Sequence, residues 1–246
     1  MNRILFSAEE IQKDGTVTLT DTRAVHIRNV LRAKVGDTLR TGIVNGLIGT
    51  SSIQSVTDES VCLSTRHEEA APEPLIDVIL AVPRPKVLRR LWPQLAALGV
   101  GKIVILSAFR TERNYFSTQW LDPVHYTPLL VNGLMQAGAS RLPEIHIRKW
   151  FKTFVEKELD AMFPDSLRLL AHPGTEGCGP LPTMRDWHRP VLAIGPEGGW
   201  AEYEIDILTL QGFTLFSLGE RTLSTDTATI GLIYAIMSQF TPTAET

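Results

Sequence analysis

Two short segments carry the residues best suited to chemistry. The first, Ile194-Gly195-Pro196-Glu197-Gly198-Gly199-Trp200, follows an apolar run at residues 191–194 and sets one carboxylate among three glycines and a proline. A turn of this composition leaves its backbone N–H groups open to a ligand, and in open α/β sheets ligands lie beyond the carboxyl ends of the strands. A plain strand-to-helix turn would use the same residues, with Glu202 and Glu204 favouring a helix N-terminus. The second segment, residues 218–228 (LGERTLSTDTA), follows the apolar run 213–218 and contains Glu220, Arg221 and Asp226. Thr225 or Asp226 can cap the helix that follows, worth about 1 kcal/mol. Capping does not account for a glycine-rich turn and an arginine-bearing loop following neighbouring strands. Other site patterns are absent: there is no GxxxxGK-S/T, no HExxH, no GxSxG, and no GxGxxG after the first α/β strand. His26, His67, His125, His146, His172 and His188 show no ligand spacing, and Cys62 and Cys178 form no CxxC, so no metal is expected.

Charge points in two directions. With 24 basic and 27 acidic residues in 246, the net charge is −3, which taken alone argues against a nucleic-acid partner. Its distribution argues the other way. Residues 84–113 hold seven basic side chains (Arg84, Lys86, Arg89, Arg90, Lys102, Arg110, Arg113) against Glu112 alone, and residues 21–40 hold five, Arg23, Arg28 and Arg32 among them, against two acids. Two such segments fit a shared phosphate-facing surface. The hydrophobic fraction of 43% and charged fraction of 21% exclude a disordered or collagen-like chain. Two isolated cysteines fit a reducing cytosol. Glu9 and Glu10 stand where a signal peptide would need an apolar run. The longest uncharged stretch, 227–244, is interrupted by Gly231, Ser238, Gln239 and Pro242 and reads as a buried helix with a tail. The expected location is cytoplasmic.

The elements that must position these residues fall into two groups. In the first seventy residues, short alternating runs at 16–20, 38–44, 49–56 and 60–65 are broken by Asp14-Gly15, Gly36-Asp37 and Asn45-Gly46. Asn-Gly between apolar runs is a strong hairpin signal. With a short helix expected over 22–33, this part reads as a small β-barrel-like module. Residues 68–74 (EEAAPEP) read as a linker. From residue 75, buried-strand runs at 75–82, 102–106, 167–171, 191–194 and 213–218 alternate with helical stretches at 85–98, 126–137, 150–162, 202–210 and 227–240, as in a parallel sheet covered on both faces. Pro93 is expected to kink or break its helix, at a cost of about 3 kcal/mol.

Taken in order, His26 to Arg32 (HIRNVLR), Leu98-Gly99-Val100, Thr111-Glu112-Arg113, residues 136–143 (QAGASRLP), residues 195–199 (GPEGG) and residues 218–227 (LGERTLSTDT) resemble the ribosomal RNA small-subunit methyltransferase E family of the SPOUT superfamily. GPEGG followed about twenty residues later by LG-x-R-x-L-x-T-D/E-T is the specific combination. The resemblance implies a SPOUT-type α/β domain with a C-terminal trefoil knot at 74–242, preceded by a small PUA-like β-barrel RNA-binding domain at 1–70. It implies a homodimer that uses S-adenosyl-L-methionine to methylate N3 of a uridine in 16S rRNA of the small ribosomal subunit. The cofactor walls would be Leu170 and Ala171, Ile194 to Gly198 (Ile194, Gly195, Pro196, Glu197, Gly198), Leu218 and Gly219, and Leu223 and Ser224.

The chemistry follows from the nucleophile. Uridine N3 carries a proton and reacts poorly until it is removed, so a base or an anion holder is needed. Asp226 and Glu197 are candidate bases; Arg113, Arg141 and Arg221 are candidate holders of an anion or phosphate. Arg23, Arg28, Arg32, Arg84, Lys86, Arg110, Arg113 and Arg141 are the candidate RNA contacts. The sequence departs from the family pattern at three places. Ser224 stands where LRTET or LRTDT has arginine, residues 135–141 (MQAGASR) replace EQ-S/C-GR, and Ala97 replaces the glutamate before Leu-Gly-Val. These departures keep open a second reading, a non-catalytic RNA-binding or ribosome-assembly protein that retains the fold.

Overall fold

The structure is a computed structural model describing residues 2–173, 178–182 and 189–240. Its residues cluster in two compact units, 1–72 with 130–142 and 73–129 with 143–246. His188 and the tail expected to end at residue 244 lie outside the described residues.

The first unit contains β1 (Ile4–Phe6), β2 (Thr16–Leu19), α1 (Thr22–Val25), β3 (Thr38–Ile43), β4 (Ile48–Val56) and β5 (Val61–Glu69). Its sheet runs β1-β3-β4-β5-β2, with β1 and β3 parallel and the other pairs antiparallel. Alternation along the strands buries Phe6, Val17, Leu19, Ile53 and Leu63 against Ala24 and Ile27. Asn45 takes φ +57° in the β3–β4 turn, the left-handed conformation that such hairpins require. The helix expected over 22–33 is α1 followed by a π-helical turn, His26–Leu31, closed by Arg32 at φ +52°. The expected linker start at residue 68 is corrected: the pairs Ile48↔Glu69 and Gly49↔His67 carry β5 to Glu69. β1, three residues long, is too short for periodicity to reveal.

The second unit contains β6 (Ile76–Ala81), α2 (Pro85–Ala97), β7 (Val100–Leu106), the start of α3 (Pro123–Ala137), β8 (Glu144–Arg148), α4 (Phe151–Lys157), α5 (Leu159–Met162), β9 (Arg168–Ala171), β10 (Val191–Ile194), α6 (Glu202–Leu210), β11 (Thr214–Phe216) and α7 (Thr225–Met237). The six strands are all parallel in the order β11-β9-β10-β6-β7-β8. Central β6 and β10 are buried at every residue, as a sheet covered on both faces requires. The edge strand β8 was not expected, because Glu144-Ile145-His146-Ile147-Arg148 is only half-buried and polar at alternate positions. The single helix expected over 150–162 is two, separated at Glu158, whose carboxylate pairs with Arg148 at 2.6 Å.

α2 continues through Pro93, so the expected break does not occur. The reason is packing. Leu88, Leu91, Trp92 and Leu95 are fully buried on one face, and at about 1.5–3 kcal/mol per side chain that outweighs the proline's ~3 kcal/mol. Among the described residues no helix is long and apolar enough to cross a membrane. Cys62 and Cys178 are unpaired thiols.

Candidate functional site

β9, β10 and β11 end side by side, and the loops after them enclose a cavity of about 570 Å³. The loop after β10 is a tight turn closed by the Gly199 N–H donating to the Pro196 carbonyl at 2.8 Å. A Cβ at Gly195 would lie 3.1 Å from the Trp200 backbone nitrogen, tighter than ordinary contact, and Gly199 sits at φ +70°. Two contacts fix the loop from outside. The Arg84 N–H, at the start of α2, donates to Glu197 Oε1 at 2.9 Å, and Arg110 Nη1 donates to the Gly198 carbonyl at 2.9 Å. Glu197 is thus an anion placed at a helix N-terminus, where the macrodipole favours it.

The loop after β11 turns at Gly219, φ +126°, with Ser217 Oγ accepting from the Gly219 N–H at 3.1 Å. It leads into α7, which starts after Ser224. The Ser224 carbonyl accepts the Ala228 N–H at 2.8 Å, while its hydroxyl donates to Asp226 Oδ1 at 2.7 Å. Arg90 of α2 pairs with Asp226 Oδ2 at 2.6 Å. The Ser224 hydroxyl foremost, then the Thr227 N–H and Arg90, hold the Asp226 carboxyl below the usual carboxylate range, against a smaller opposing effect of burial.

Of the expected cofactor residues, Ala171, Ile194, Gly195, Pro196 and Glu197 line the cavity on one side, and Leu218, Gly219 and Leu223 on the other. Leu170, Gly198 and Ser224 are not on the wall: Leu170 is buried in the sheet core, Gly198 backs onto Arg110, and Ser224 faces Asp226. Of the expected catalytic side chains, Arg221 and Glu197 reach the wall, whereas Asp226 and Arg113 do not.

The expected RNA contacts differ widely in their surroundings. Arg23 is largely buried in ion pairs with Glu10 and Asp21 and donates to the Leu5 carbonyl at 2.7 Å. Arg28 donates to the carbonyls of Thr57 and Asp58. Arg32, Arg84, Lys86, Arg110 and Arg113 are exposed. Arg141, in the first unit, donates to the Ala71 carbonyl at 3.4 Å.

Sequence reasoning missed Trp200 and Glu204. Trp200 is on the cavity wall, buried, with its indole Nε1 unpartnered; its place directly after GPEGG was the available signal. Glu204 is completely buried, its two carboxylate oxygens accepting the N–H groups of Phe109 at 2.8 Å and Ala201 at 2.9 Å. Phe109 is distant in sequence, and nothing local pointed to it.

Fold and site together define an α/β protein with a cavity on glycine turns at the carboxyl ends of parallel strands, the place where open α/β sheets take ligands. The model of the RNA methyltransferase domain family matches residues 71–237. Over 239 residues the chain is 30% identical to Ribosomal RNA small subunit methyltransferase E of Treponema pallidum (strain Nichols), covering 93% of this chain and 87% of that protein. A second relative, Ribosomal RNA small subunit methyltransferase E 1 of Borreliella burgdorferi, is 27% identical over 235 residues, 94% of each chain. The chain therefore belongs to the RNA methyltransferase domain family and, within it, to the ribosomal RNA small subunit methyltransferase E family, as its ordered motifs indicated. A solved structure of the methyltransferase E of Neisseria gonorrhoeae, bound to S-adenosyl methionine, shares the fold with a TM-score of 0.75, at 22% identity over 97% of both chains.

Proposed function

We propose that this chain transfers the methyl group of S-adenosyl-L-methionine to N3 of a uridine in 16S rRNA. The observation that carries this reading is the cavity of about 570 Å³ on two glycine turns, in a chain of an RNA methyltransferase family. Its volume suits a cofactor-sized molecule, and Leu218 and Leu223, 51% and 48% exposed at its wall, offer apolar area for an adenine ring to cover. The backbone of Ile194 to Glu197, with Ala171, Leu218, Gly219 and Leu223, would hold the cofactor. Leu170, Gly198 and Ser224 support those residues from behind. The cofactor, when bound, supplies a methyl group made electrophilic by a sulfonium.

The chain's own work is to align N3, exclude water and stabilise the negative charge left when the N3 proton departs. Asp226 and Glu197 are committed as anchors, one to Arg90 and Ser224, the other to the start of α2. Arg221, on the wall, is therefore assigned to the anion, and Arg113 to a nearby phosphate. The first unit, with its five-stranded sheet and basic segment, acts as a PUA-like RNA-holding barrel. The passage of the chain from edge strand β11 to α7, which packs on α2 and β10, supports a trefoil knot. The family reading carries with it a homodimer and, from the ribosomal substrate, a cytoplasmic location.

Ser224 favours a second reading. It stands where the family pattern has arginine and its hydroxyl is turned onto Asp226, as in a protein that keeps the fold and RNA binding without turnover. Calorimetric titration with S-adenosylmethionine, then methyl transfer to undermethylated 30S subunits with nucleoside mass spectrometry, separates the two. Binding with formation of 3-methyluridine is expected. Failure to bind the cofactor overturns the proposal, and binding without transfer selects the second reading.

A further inference from the structure

We propose that Phe109 and Tyr203 form a stacking platform for an unpaired base of the RNA strand, beside the cofactor cavity. The inference rests on the methyltransferase reading and adds a contact to it. Phe109 is 71% exposed and Tyr203 48%, yet their rings meet edge to face, with centroids 5.7 Å apart and planes at 84°. Neither ring fills the core. Their placement is nevertheless tightly made. Glu204, fully buried, accepts the Phe109 N–H with one carboxylate oxygen and the Ala201 N–H with the other, so the loop after β7 is held against the first turn of α6. Burying a carboxylate is costly unless it is hydrogen-bonded, and here its hydrogen bonds serve to hold two exposed aromatic side chains together.

The platform is tied to the cavity through the loop after β10. Arg110, next to Phe109, donates to the Gly198 carbonyl, and Glu197 of the same loop both lines the cavity and accepts the Arg84 N–H. Tyr203 is the third residue after the GPEGGW segment. Exposed aromatic rings beside cations are the means by which proteins hold single-stranded nucleic acid, the base on the ring and the phosphate on the cation. Glu202 and Asp206 flank Tyr203 on α6 and repel phosphate, so the strand's phosphates run on the Arg110 side.

The test measures binding of a 12-nucleotide oligouridine and of an abasic strand with the same number of phosphates to the full chain. Phe109→Ala and Tyr203→Ala are each expected to weaken oligouridine binding by about tenfold and to leave abasic binding and S-adenosylmethionine affinity unchanged. Phe109→Trp retains binding, while Phe109→Leu, which keeps apolar bulk without a ring, does not. Methyl transfer to 30S subunits by the Ala variants shows a raised KM with kcat preserved. Equal losses on both strands, or none, overturn the platform, while methyl transfer to 30S subunits by the wild-type protein upholds the methyltransferase reading. A dimer that becomes a monomer on Phe109→Ala overturns it in favour of a contact between copies. Wild-type protein that neither binds nor methylates RNA overturns both.

Discussion

Asp226 shows how a residue's surroundings bear on the role its type suggests. As a carboxylate in a polar loop it was a candidate base, but Ser224, the Thr227 N–H and Arg90 all stabilise its ionised form. A carboxylate held below the ordinary range is a weak acceptor for the proton of uridine N3, which ionises only on the alkaline side. We therefore expect kcat to rise with pH from neutral to alkaline with a logarithmic slope near one, and Asp226→Asn to keep that slope. A plateau in the wild-type profile that Asp226→Asn removes would restore Asp226 as the base. The sign for stability is the opposite of a raised group's. Asp226 contributes above its unfolded pKa near 3.8, and the contribution is lost as pH falls through the lower folded value. Arg23 makes the same point among the cations. Its guanidinium is largely buried between Glu10 and Asp21, so Arg23→Ala should lower folding stability by about 2–4 kcal/mol, read from denaturant melts, with little effect on RNA affinity measured where the variant is folded. Asp21, two residues away, was a local signal of this pairing; Glu10, thirteen residues away, was not.

At the scale of elements, the loops after β10 and β11 were legible because their signal is local: glycines at tight turns and a polar run before a helix. What the loops lean on was not. Gly198 was expected on the cofactor wall, but the side of Gly198 where a Cβ would stand faces Arg110, with the Arg110 Cβ 3.2 Å away. Gly198→Val should therefore push Arg110 off the Gly198 carbonyl and loosen the turn. S-adenosylmethionine affinity should fall by about tenfold, the loss of one charge-assisted hydrogen bond, in a calorimetric titration. Unchanged affinity would show that the turn holds its shape without Arg110. Strand and helix types were mostly legible, since central β6 and β10 are continuously apolar and α2 repeats leucine at helical spacing. Element ends and edge strands were less so. β1 has three residues, β8 is half-polar, and Pro93 was expected to break a helix whose buried face keeps it whole.

For the whole molecule, the net charge of −3 was a poor guide to partners, because it sums cations that do different work. Within residues 84–113, Arg90 pairs with Asp226, Arg89 lies over the Trp120 ring, and Lys102 donates to the Met162 carbonyl, while Arg84, Lys86, Arg110 and Arg113 are exposed. Arg89 and Arg90 are exposed as well, yet with Arg110 they hold a ring, a carboxylate and a carbonyl, so exposure alone does not separate the cations available to phosphate from those already engaged. The sequence by itself determined the family, the parallel α/β class and the two glycine-rich loops, since these depend on residue type and on spacing within a few residues. Tertiary structure decided which charges are already used, that Glu197 accepts the Arg84 N–H and Asp226 pairs with Arg90, and that Glu204 brings Phe109 to Tyr203. Those are contacts between residues far apart in the chain, such as Glu204 with Phe109, and no local pattern encodes a partner that arrives only when the sheet assembles.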